Sequence, residues 1–352
     1  MTESDQESAI AAEAVTRLLE LDVSAVQRIT GGGNNKLYRV DTQAGETLVV
    51  KYYFGQLSDN RDRLGAEFDG LDFLWRNGVR QISCPRACDR EKGIGIYDYI
   101  FGEAASYATV SDDDIYQAVR FLGQLKELTE SSEAEALPEA AEAGFSLDLL
   151  IDILYRRLAR LQVVEPTLPL QKELCAFRDE RLTPTLDRMV QLARSRRAAH
   201  GFSSEALLKP DQRTLSSSDF GFHNAVRRPD GEIIFVDFEY FGWDDPAKTI
   251  SDFLLHPAMA LEPVRSGAFV AASLDVFGDY DLADRLRTYF PLFGLKWTMI
   301  VLNEFLPEGW KRRLFSGANT ENEEAYLRGQ LEKAVTFLDS ATEAGTEFPH
   351  GS

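Results

Sequence analysis

The sequence predicts an α+β protein of two lobes, in which an N-terminal antiparallel sheet with one helix precedes a mostly helical second lobe. Three observations support this fold class. The chain has 352 residues, more than a single small core usually organises. Between residues 23 and 53, short β-rich runs alternate with glycine-containing and polar turns, which is typical of an antiparallel meander. Beyond residue 103 the apolar residues recur mainly at helical spacing.

The N-terminal lobe is expected to span residues 21–102, after an N-terminal extension, residues 1–20, whose apolar residues predict a short helix. A helix is predicted from about residue 60 to residue 77, where Gly78 ends it. The extended run at residues 95–100 follows, so the lobe boundary is placed near Gly102. The sheet is assigned to three further runs: residues 26–29, 37–40 and 47–53.

The second lobe, residues 103–352, begins with a helix that Ser111 caps and three aspartates follow in its first turn. The acidic, alanine-rich residues 131–144 predict an exposed connection. β-Rich sequence returns once, on either side of a Pro-Asp-Gly turn at residues 229–231, and predicts a hairpin. Further helices are predicted at residues 146–162, 171–195 and within 246–340, with a loop at residues 201–214.

Charge and composition narrow the partners. The chain carries 38 basic and 57 acidic residues, a formal net charge of −19. An acidic surface repels nucleic acid and anionic membrane, so neither is expected as a main partner. It suits a cationic small molecule, although solubility alone also explains an acidic surface. Three cysteines make no disulfide framework, and the acidic N-terminus resembles no signal peptide, so a cytoplasmic protein is expected.

Three oxygen-bearing side chains flank the predicted hairpin. Asp219 precedes it, Asn224 begins its first strand and Asp237 ends its second strand. Because a hairpin brings its two ends together, these side chains are expected to converge. Magnesium takes carboxylate and amide oxygens as ligands, and phosphoryl transfer needs a carboxylate that orients the attacking hydroxyl. The pattern therefore indicates magnesium-dependent phosphoryl transfer.

The same residues resemble the aminoglycoside phosphotransferase and choline kinase family, which has a two-lobed protein-kinase-like fold. In that family an Asp is followed five residues later by an Asn, and a metal-binding Asp ends the next strand. The resemblance implies that Asp219 is catalytic, that Asn224 and Asp237 hold Mg²⁺, and that ATP is the phosphate donor. The resemblance extends over roughly residues 20–315, with its elements in the family's order.

The N-terminal lobe fits this resemblance. It implies that Lys51 contacts the nucleotide phosphates, that Glu67 pairs with Lys51, and that the backbone near Tyr97 and Tyr99 meets adenine. Each of these N-terminal features alone has an ordinary structural explanation. Their order along the chain favours the interpretation as a kinase. The turn expected to cover the phosphates consists of Gly32, Gly33, Asn34 and Asn35.

The acceptor is less well defined by the sequence. Glu239, Trp243 and Asp244 follow the metal-binding Asp, and acids beside an aromatic ring suit an amino alcohol or aminosugar. A neutral sugar hydroxyl is an equal alternative. Ser217 stands where the family usually has a His, two residues before the catalytic Asp, which puts rate and subgroup in question. His223 is expected to be structural or solvent-facing rather than a base.

Three other functions are compatible with part of this pattern. A nucleotide-binding pseudokinase that acts as a scaffold would explain Ser217. The presence of Lys51, Glu67 and Asp237, which an active kinase needs, argues against it. A protein kinase is disfavoured because no Phe-Gly follows Asp237 and no Ala-Pro-Glu ends an activation segment. Nucleotidyl transfer is a remote third. The predicted function is thus a small-molecule kinase with ATP and Mg²⁺ as cofactors and a small-molecule acceptor.

Overall fold

The computed structural model describes residues 3–29, 35–53, 61–164, 167–316 and 322–344. The chain divides by packing into two units, which are described separately. The first unit comprises Met1–Ala105, Asn224–Phe241 and Lys311–Asn319, and the second comprises Ser106–His223, Gly242–Trp310 and Thr320–Ser352. The hairpin that the sequence analysis placed in the second lobe therefore groups with the first unit.

The secondary structure is predominantly helical after the first hundred residues. The strands are β1 Val23–Ile29, β2 Lys36–Thr42, β3 Thr47–Tyr52, β4 Pro85–Asp89, β5 Ile94–Asp98, β6 Glu103–Ala104, β7 Thr214–Ser216, β8 Ala225–Arg227, β9 Ile233–Phe235 and β10 Gly242–Asp244. The α-helices are α1 Glu3–Leu19, α2 Arg63–Arg76, α3 Asp112–Glu127, α4 Leu147–Arg160, α5 Gln171–Phe177, α6 Thr183–Ala199, α7 Pro246–Leu255, α8 Pro263–Phe277, α9 Leu282–Val301, α10 Pro307–Ser316 and α11 Glu323–Ala344.

The main sheet of the first unit is antiparallel, with the order β1-β2-β3-β5-β4, as the meander predicted. Side chains alternate between its two faces. On one face, Leu48 and Val50 of β3 belong to a core that also contains Ala11 and Val15 of α1. Residues 3–19 are thus a helix, as predicted, and its apolar side is part of the core of this unit.

The opposite face of the sheet borders a cavity, to which Val49 and Lys51 of β3 contribute. A second, three-stranded sheet of the first unit has the order β6-β8-β9. Here Gly102 is required, because a Cβ atom at this position would lie 2.2 Å from the carbonyl oxygen of Arg227. The predicted hairpin is confirmed as β8 and β9, and Ile82 adds a parallel bridge to Phe235.

The second unit is built around α9, which contacts α4, α6, α7 and α11. Most of α9 is buried, including Trp297. Ser111 caps α3 with Asp114 in a reciprocal capping box. Among the described residues, no helix combines the length and the hydropathy that a membrane span requires.

Residues 131–144 are largely exposed or half-buried, as their composition predicted, but the segment also makes packed contacts that composition did not predict. Ala134 and Ala140 are buried, and the backbone of Ala140 donates to the carbonyl oxygen of Trp243 at 2.9 Å. A Cβ atom at Gly242 would lie 2.3 Å from the carbonyl oxygen of Pro138, so only glycine permits this approach. The segment therefore packs along β10 through backbone contacts, which composition does not reveal.

Candidate active site

The cavity of the first unit has a volume of about 470 Å³ and gathers most of the predicted nucleotide and metal residues. It contains charged groups beside an apolar wall. Its lining residues are Ile29, Asn35, Leu37, Val49, Lys51, Glu67, Leu71, Ser83, Tyr97, Asp98, Tyr99, Ile100, Gly102, Ala104, Asn224, Val226, Phe235, Val236 and Asp237. Gly32, Gly33 and Asn34 lie outside the described residues.

Lys51 is the centre of the charged group. Its Nζ atom donates to Glu67 Oε2 and to Asp237 Oδ1, each at 2.6 Å. Burial alone would lower the pKa of Lys51, but Asp237, Glu67 and Glu239 raise that pKa well above its ordinary value. The lysine is therefore a fixed positive charge at the cavity wall. Glu67 reaches it from α2, where Asp62 caps the helix by accepting from the Gly65 N–H.

Asp237 follows β9 in a left-handed conformation, with φ of +66°. The Val236 N–H donates to the Asn224 carbonyl oxygen at 2.9 Å, so the hairpin fixes the backbone at both metal-site candidates. Desolvation raises the pKa of Asp237 to about 7; Lys51 opposes this shift, whereas Glu239 and Glu67 add to it. A non-glycine residue in this backbone region is uncommon, although aspartate adopts it more readily than most residues.

Glu239 occupies a closed position behind this group and is only 2 % exposed. Asn35 Nδ2 donates to Glu239 Oε2 at 2.8 Å, and Arg63 Nη1 donates to Oε1 at 3.3 Å. Although burial favours the neutral acid, Lys51 and Arg63 lower the pKa of Glu239. The carboxylate thus holds Asn35 and Arg63, and this geometry disfavours its predicted contact with an acceptor.

The predicted adenine segment lines the cavity through residues 97–100. The Tyr97 side chain is buried, and its hydroxyl lies 2.7 Å from the hydroxyl of Tyr53. A Cβ atom at Gly95 would lie 2.5 Å from the Tyr97 hydroxyl oxygen, so glycine makes room for this ring. The Tyr99 ring packs against Phe101 and receives the Arg39 guanidinium on its face. Both tyrosine side chains are engaged, which leaves the backbone as the element that can meet a base.

Asp219 belongs to the second unit, in the segment between β7 and Asn224. The preceding residue, Ser218, has a φ of +67°, and its N–H donates to Ser216 Oγ at 2.9 Å. Two side chains of α7 hold this segment: Lys248 Nζ donates to Ser218 Oγ at 2.7 Å, and Thr249 Oγ1 donates to Ser216 Oγ at 3.0 Å. The Asp219 side chain is 34 % exposed, and its Oδ1 lies 3.1 Å from His223 Nε2.

Asp244 and Trp243 lie on β10 of the second unit. Asp244 is fully buried and accepts from Lys248 Nζ at 2.6 Å. Burial raises the pKa of Asp244 to about 6, and Lys248 opposes that rise. Trp243 Nε1 donates to the Ala134 carbonyl oxygen at 2.8 Å. Asp244 is enclosed within the unit, whereas the Trp243 ring is partly exposed, so the contact of these two residues with an acceptor stays a prediction.

Several participants were missed by the sequence analysis. Arg63 and Lys248 each lie in the first turn of a helix. Basic residues at such positions are too common to be singled out in a sequence, and the burial of these two follows from tertiary packing. His256 lies 33 residues beyond His223 in the chain, yet the two rings stack. The buried Asp245–Arg285 pair, with N–O contacts of 3.0 to 3.2 Å, was also not foreseen.

Comparison with solved structures shows the fold. A spectinomycin phosphotransferase in complex with ADP and spectinomycin is 12 % identical, with a TM-score of 0.62, over 96 % of this chain and 98 % of that one. The choline kinase LicA from Streptococcus pneumoniae is 16 % identical, with a TM-score of 0.60, over 95 % and 99 % of the two chains. Amicoumacin kinase in complex with AMP-PNP, Ca²⁺ and Ami is 13 % identical, with a TM-score of 0.60, over 97 % and 96 %.

These likenesses confirm the predicted two-lobed kinase-like fold. No curated protein matches the sequence. The family model described as the phosphotransferase enzyme family matches residues 25–287, which is well over half of the chain. The match contains every predicted site residue, from Gly32 to Asp244. This protein therefore belongs to the phosphotransferase enzyme family, as the resemblance of its motifs predicted.

Proposed function

We propose that this phosphotransferase uses ATP and Mg²⁺ to move the γ-phosphoryl group to a hydroxyl of a small molecule. The observation that carries the proposal is the cavity of the first unit, which places Lys51, Glu67, Asn224 and Asp237 along one lining. A fixed cation, its carboxylate partner and two oxygen ligands are the parts that phosphoryl transfer requires.

The cavity has separate groups that suit the adenine ring and the phosphates of ATP. The N–H groups of Asp98 and Tyr99 already donate to the carbonyl oxygens of Cys84 and Thr47, so the backbone proposed to meet adenine is that of Ile100, the next lining residue. The apolar side chains of Leu37, Val49 and Leu71 offer surfaces to the adenine ring. Lys51, held by Glu67, is the group proposed to contact the phosphates. The relatives solved with ADP and with AMP-PNP support nucleotide binding in this fold.

The donor set of the cavity also fits a divalent cation. Among the described residues, Lys51 of the cavity lining forms ion pairs with two carboxylates, those of Glu67 and Asp237, and Glu239 behind them pairs with Arg63, so acid groups exceed cations in this cluster. Asn224 and Asp237 supply the amide and carboxylate oxygens that hard cations prefer. When bound there, Mg²⁺ would neutralise charge on the phosphates during transfer. The hydrogen bond from Lys51 fixes the orientation of the Asp237 carboxylate.

Asp219 is proposed to orient the acceptor hydroxyl and to take its proton. The hydroxyl oxygen forms a bond to the γ-phosphorus while the bond to the bridging oxygen of ADP breaks. The products are a phosphate monoester, ADP and a proton. Asp219 accepts this proton from the hydroxyl and then releases it to solvent. The partial exposure of this carboxylate suits contact with an acceptor. Positioning and electrostatics supply most of the acceleration in such reactions.

The acceptor is proposed to be an amino alcohol, an aminosugar or a sugar. The solved relatives named for spectinomycin and for choline support a small-molecule acceptor. Glu239, Trp243 and Asp244 are engaged elsewhere, so preference for a cation is now supported only by the net charge of −19, which attracts cations over distance. Cationic and neutral acceptors are therefore tested side by side.

The test is phosphate transfer from ATP with Mg²⁺ across a panel of amino alcohols, aminoglycosides and free sugars. Asp219→Asn is run beside Asp211→Asn, an exposed acid of the same unit. We expect transfer to one acceptor class, reduced on the order of 10²-fold or more in Asp219→Asn and unchanged in the control. ATP binding without transfer to any acceptor would favour a nucleotide-binding pseudokinase, and wild-type turnover by Asp219→Asn would refute the catalytic role.

A further inference from the structure

The catalytic candidate Asp219 has a hydrogen-bond partner within the second unit, four residues along the chain. His223 Nε2 lies 3.1 Å from Asp219 Oδ1, and the His223 side chain is 11 % exposed. An ionised carboxylate only accepts hydrogen bonds, so this contact requires the proton on Nε2. His223 Nδ1 is buried and has no partner among the residues that the structure describes. The proton of the hydrogen bond between His223 and Asp219 therefore belongs to Nε2.

The orientation of the His223 ring is fixed by a second histidine. The rings of His223 and His256 stack with centroids 3.5 Å apart and planes 6° apart. His256 Nδ1 accepts from the Ala258 N–H at 3.2 Å, and its ring meets the Trp297 ring edge-on at 4.9 Å. Trp297 Nε1 in turn donates to Asp252 Oδ1 at 2.9 Å. The stack is therefore anchored in the core of the unit.

Glycine at position 221 provides the space that the His223 ring occupies. A Cβ atom at Gly221 would lie 2.7 Å from His223 Nδ1, 2.8 Å from its Cε1 and 3.2 Å from Met259 Sδ. Contacts below 3.0 Å force a shift of one partner, and here the ring is enclosed by His256 on its face. Any side chain at this position would thus move the ring away from Asp219.

A metal site is an alternative, because the side chains of Asp219, His223 and His256 offer ligand atoms that all lie within 4.8 Å of one another. An imidazole nitrogen binds a metal in the plane of its ring. Two parallel rings separated by 3.5 Å have no common plane in which both could bind one ion. His256 Nδ1 is also occupied by the Ala258 N–H. The observed stack therefore favours orientation of Asp219 over metal ligation.

We propose that His223, braced by His256, is the positioning residue that holds the Asp219 carboxylate in the orientation needed to receive the acceptor hydroxyl. This inference rests on the proposed function, because it takes Asp219 as the group that receives the proton. His223 acts through Asp219 and does not itself touch the reacting atoms. The donor at Nε2 and the stack that fixes it make separate contributions, which separate substitutions can remove.

The first test needs no acceptor. The chain contains four histidines, so a long-range ¹H–¹⁵N spectrum of the imidazoles is simple to assign with single His→Gln variants. At neutral pH we expect His223 to be protonated on Nε2, with a resonance that shifts in Asp219→Ala. His200, which lies beside Asp284, is the internal control and is expected to stay unchanged. A proton on Nδ1 of His223, or no response to Asp219→Ala, would overturn the proposal.

The second test uses an acceptor from the panel and compares two variants that both remove the ring. His223→Leu has no donor, whereas His223→Gln places an amide N–H near the position of Nε2. We expect His223→Leu to lower kcat on the order of 10²-fold with the KM for ATP unchanged, because a misplaced catalytic group costs about that much. His223→Gln is expected to recover about tenfold of that loss.

The stack is tested in the same way. His256→Phe keeps a flat ring against His223, and His256→Leu does not, so kcat should fall more in the leucine variant. Gly221→Ala should reproduce the kcat loss of His223→Leu without changing any functional group. Gly267→Ala on α8 is its control, because a Cβ atom there meets nothing within 4 Å. If His223→Leu fails to fold, Gly221→Ala and the spectrum decide.

Different results would refute the proposed function and the positioning role of His223. If Asp219→Asn keeps wild-type turnover, the proposed function fails. If Asp219→Asn loses transfer while folded His223→Leu and Gly221→Ala keep kcat within about twofold of wild type, the positioning role alone is refuted. Equal kcat values for His223→Leu and His223→Gln would also refute it, because the donor would then be irrelevant.

Discussion

Two clusters of charged side chains, one in each unit, have opposite designs. In the first unit, Lys51 and Arg63 face three carboxylates, and Asp237 among them is 34 % exposed. In the second unit, Lys248 and Lys296 face Asp244 and Asp252, and all four side chains are at most 4 % exposed. The first cluster has an excess of acid and borders a cavity. The second cluster is balanced and closed.

This difference separates a binding site from a structural one. A surplus carboxylate beside a cavity is costly until a cation or another partner arrives, so the first cluster is suited to a ligand. A closed, balanced set has no charge left to offer. It instead fixes its neighbours: Lys248 donates to Ser218, and Asp252 accepts from Trp297. Burial of acids alone would not have distinguished the two.

The largest effect on stability is expected from Lys248→Met in the closed cluster. Removing one partner leaves Asp244 buried without its nearest cation, which costs about 3–5 kcal/mol of unfolding free energy. Urea denaturation measures the loss, and Lys172→Met, at an exposed position of α5, is the control. Adding Asp244→Asn to Lys248→Met should restore part of the stability. A single variant as stable as the control would mean that the cluster is not structural.

The matching change in the open cluster is Asp237→Asn, which should affect ligands more than folding. Transfer should fall on the order of 10²- to 10³-fold, because a ligand of the proposed Mg²⁺ is lost. Removing one surplus negative charge should also tighten the binding of ATP measured without Mg²⁺ by a few-fold. Calorimetric titration with and without Mg²⁺ tests both signs.

Asp230→Asn, in the exposed turn of the same hairpin, is the control for that comparison. It should keep wild-type transfer and wild-type affinity in both titrations. If Asp237→Asn bound Mg²⁺-free ATP more weakly than the wild type, the surplus of acid in the first cluster would not repel the phosphates, and the contrast between the two clusters would lose its meaning.

The sequence was most informative where chemistry is local. The order of Lys51, Glu67, Asp219, Asn224 and Asp237 along the chain predicted the family and the fold, and the turn between β8 and β9 predicted the hairpin. These features depend on short spacings and on turn-forming residues, which a single sequence displays. The meander of the first unit was predicted for the same reason.

What the sequence did not show depends on distant packing. Lys248 looks like any helix lysine until Asp244 and Ser218 are placed against it. The proximity of His223 and His256 requires the turn after α7 to bring the second ring over the first. Trp243 and Asp244 follow Asp237 closely in the chain, yet their side chains form hydrogen bonds with the Ala134 carbonyl oxygen and with Lys248 in the second unit. Spacing alone cannot tell these outcomes apart.

The pH dependence of stability offers a finer test of the closed region. Burial, followed by the neighbouring His223, lowers the pKa of His256 from 6.5 to about 4, whereas Asp219 and Asp252 oppose that shift. Between those pH values the unfolded chain binds a proton at this position that the folded chain does not. Stability is therefore lost as the pH falls from 6.5 towards 4, by at most about 3 kcal/mol.

His256→Phe removes this titration and keeps the stack. As the pH falls from 6.5 towards 4, the unfolding free energy of this variant relative to wild type should rise. Below about pH 4 the difference should become constant. Denaturation curves at several pH values measure the change, with His200→Phe, at an exposed histidine, as the control. A constant difference between His256→Phe and wild type would show that His256 is not held neutral by the fold.

The smallest expected effect concerns Trp243, which the sequence analysis assigned to the acceptor. Its Nε1 donates to Ala134, so Trp243→Phe should lower the unfolding free energy by about 1–2 kcal/mol through the lost hydrogen bond. The KM for the acceptor should stay unchanged, because the ring is engaged with residues 131–144 of its own unit. Trp75→Phe on α2 serves as the control for loss of an indole. If the KM rises several-fold while stability does not change, Trp243 contacts the acceptor after all, and the boundary between binding and structural groups has to be redrawn at β10.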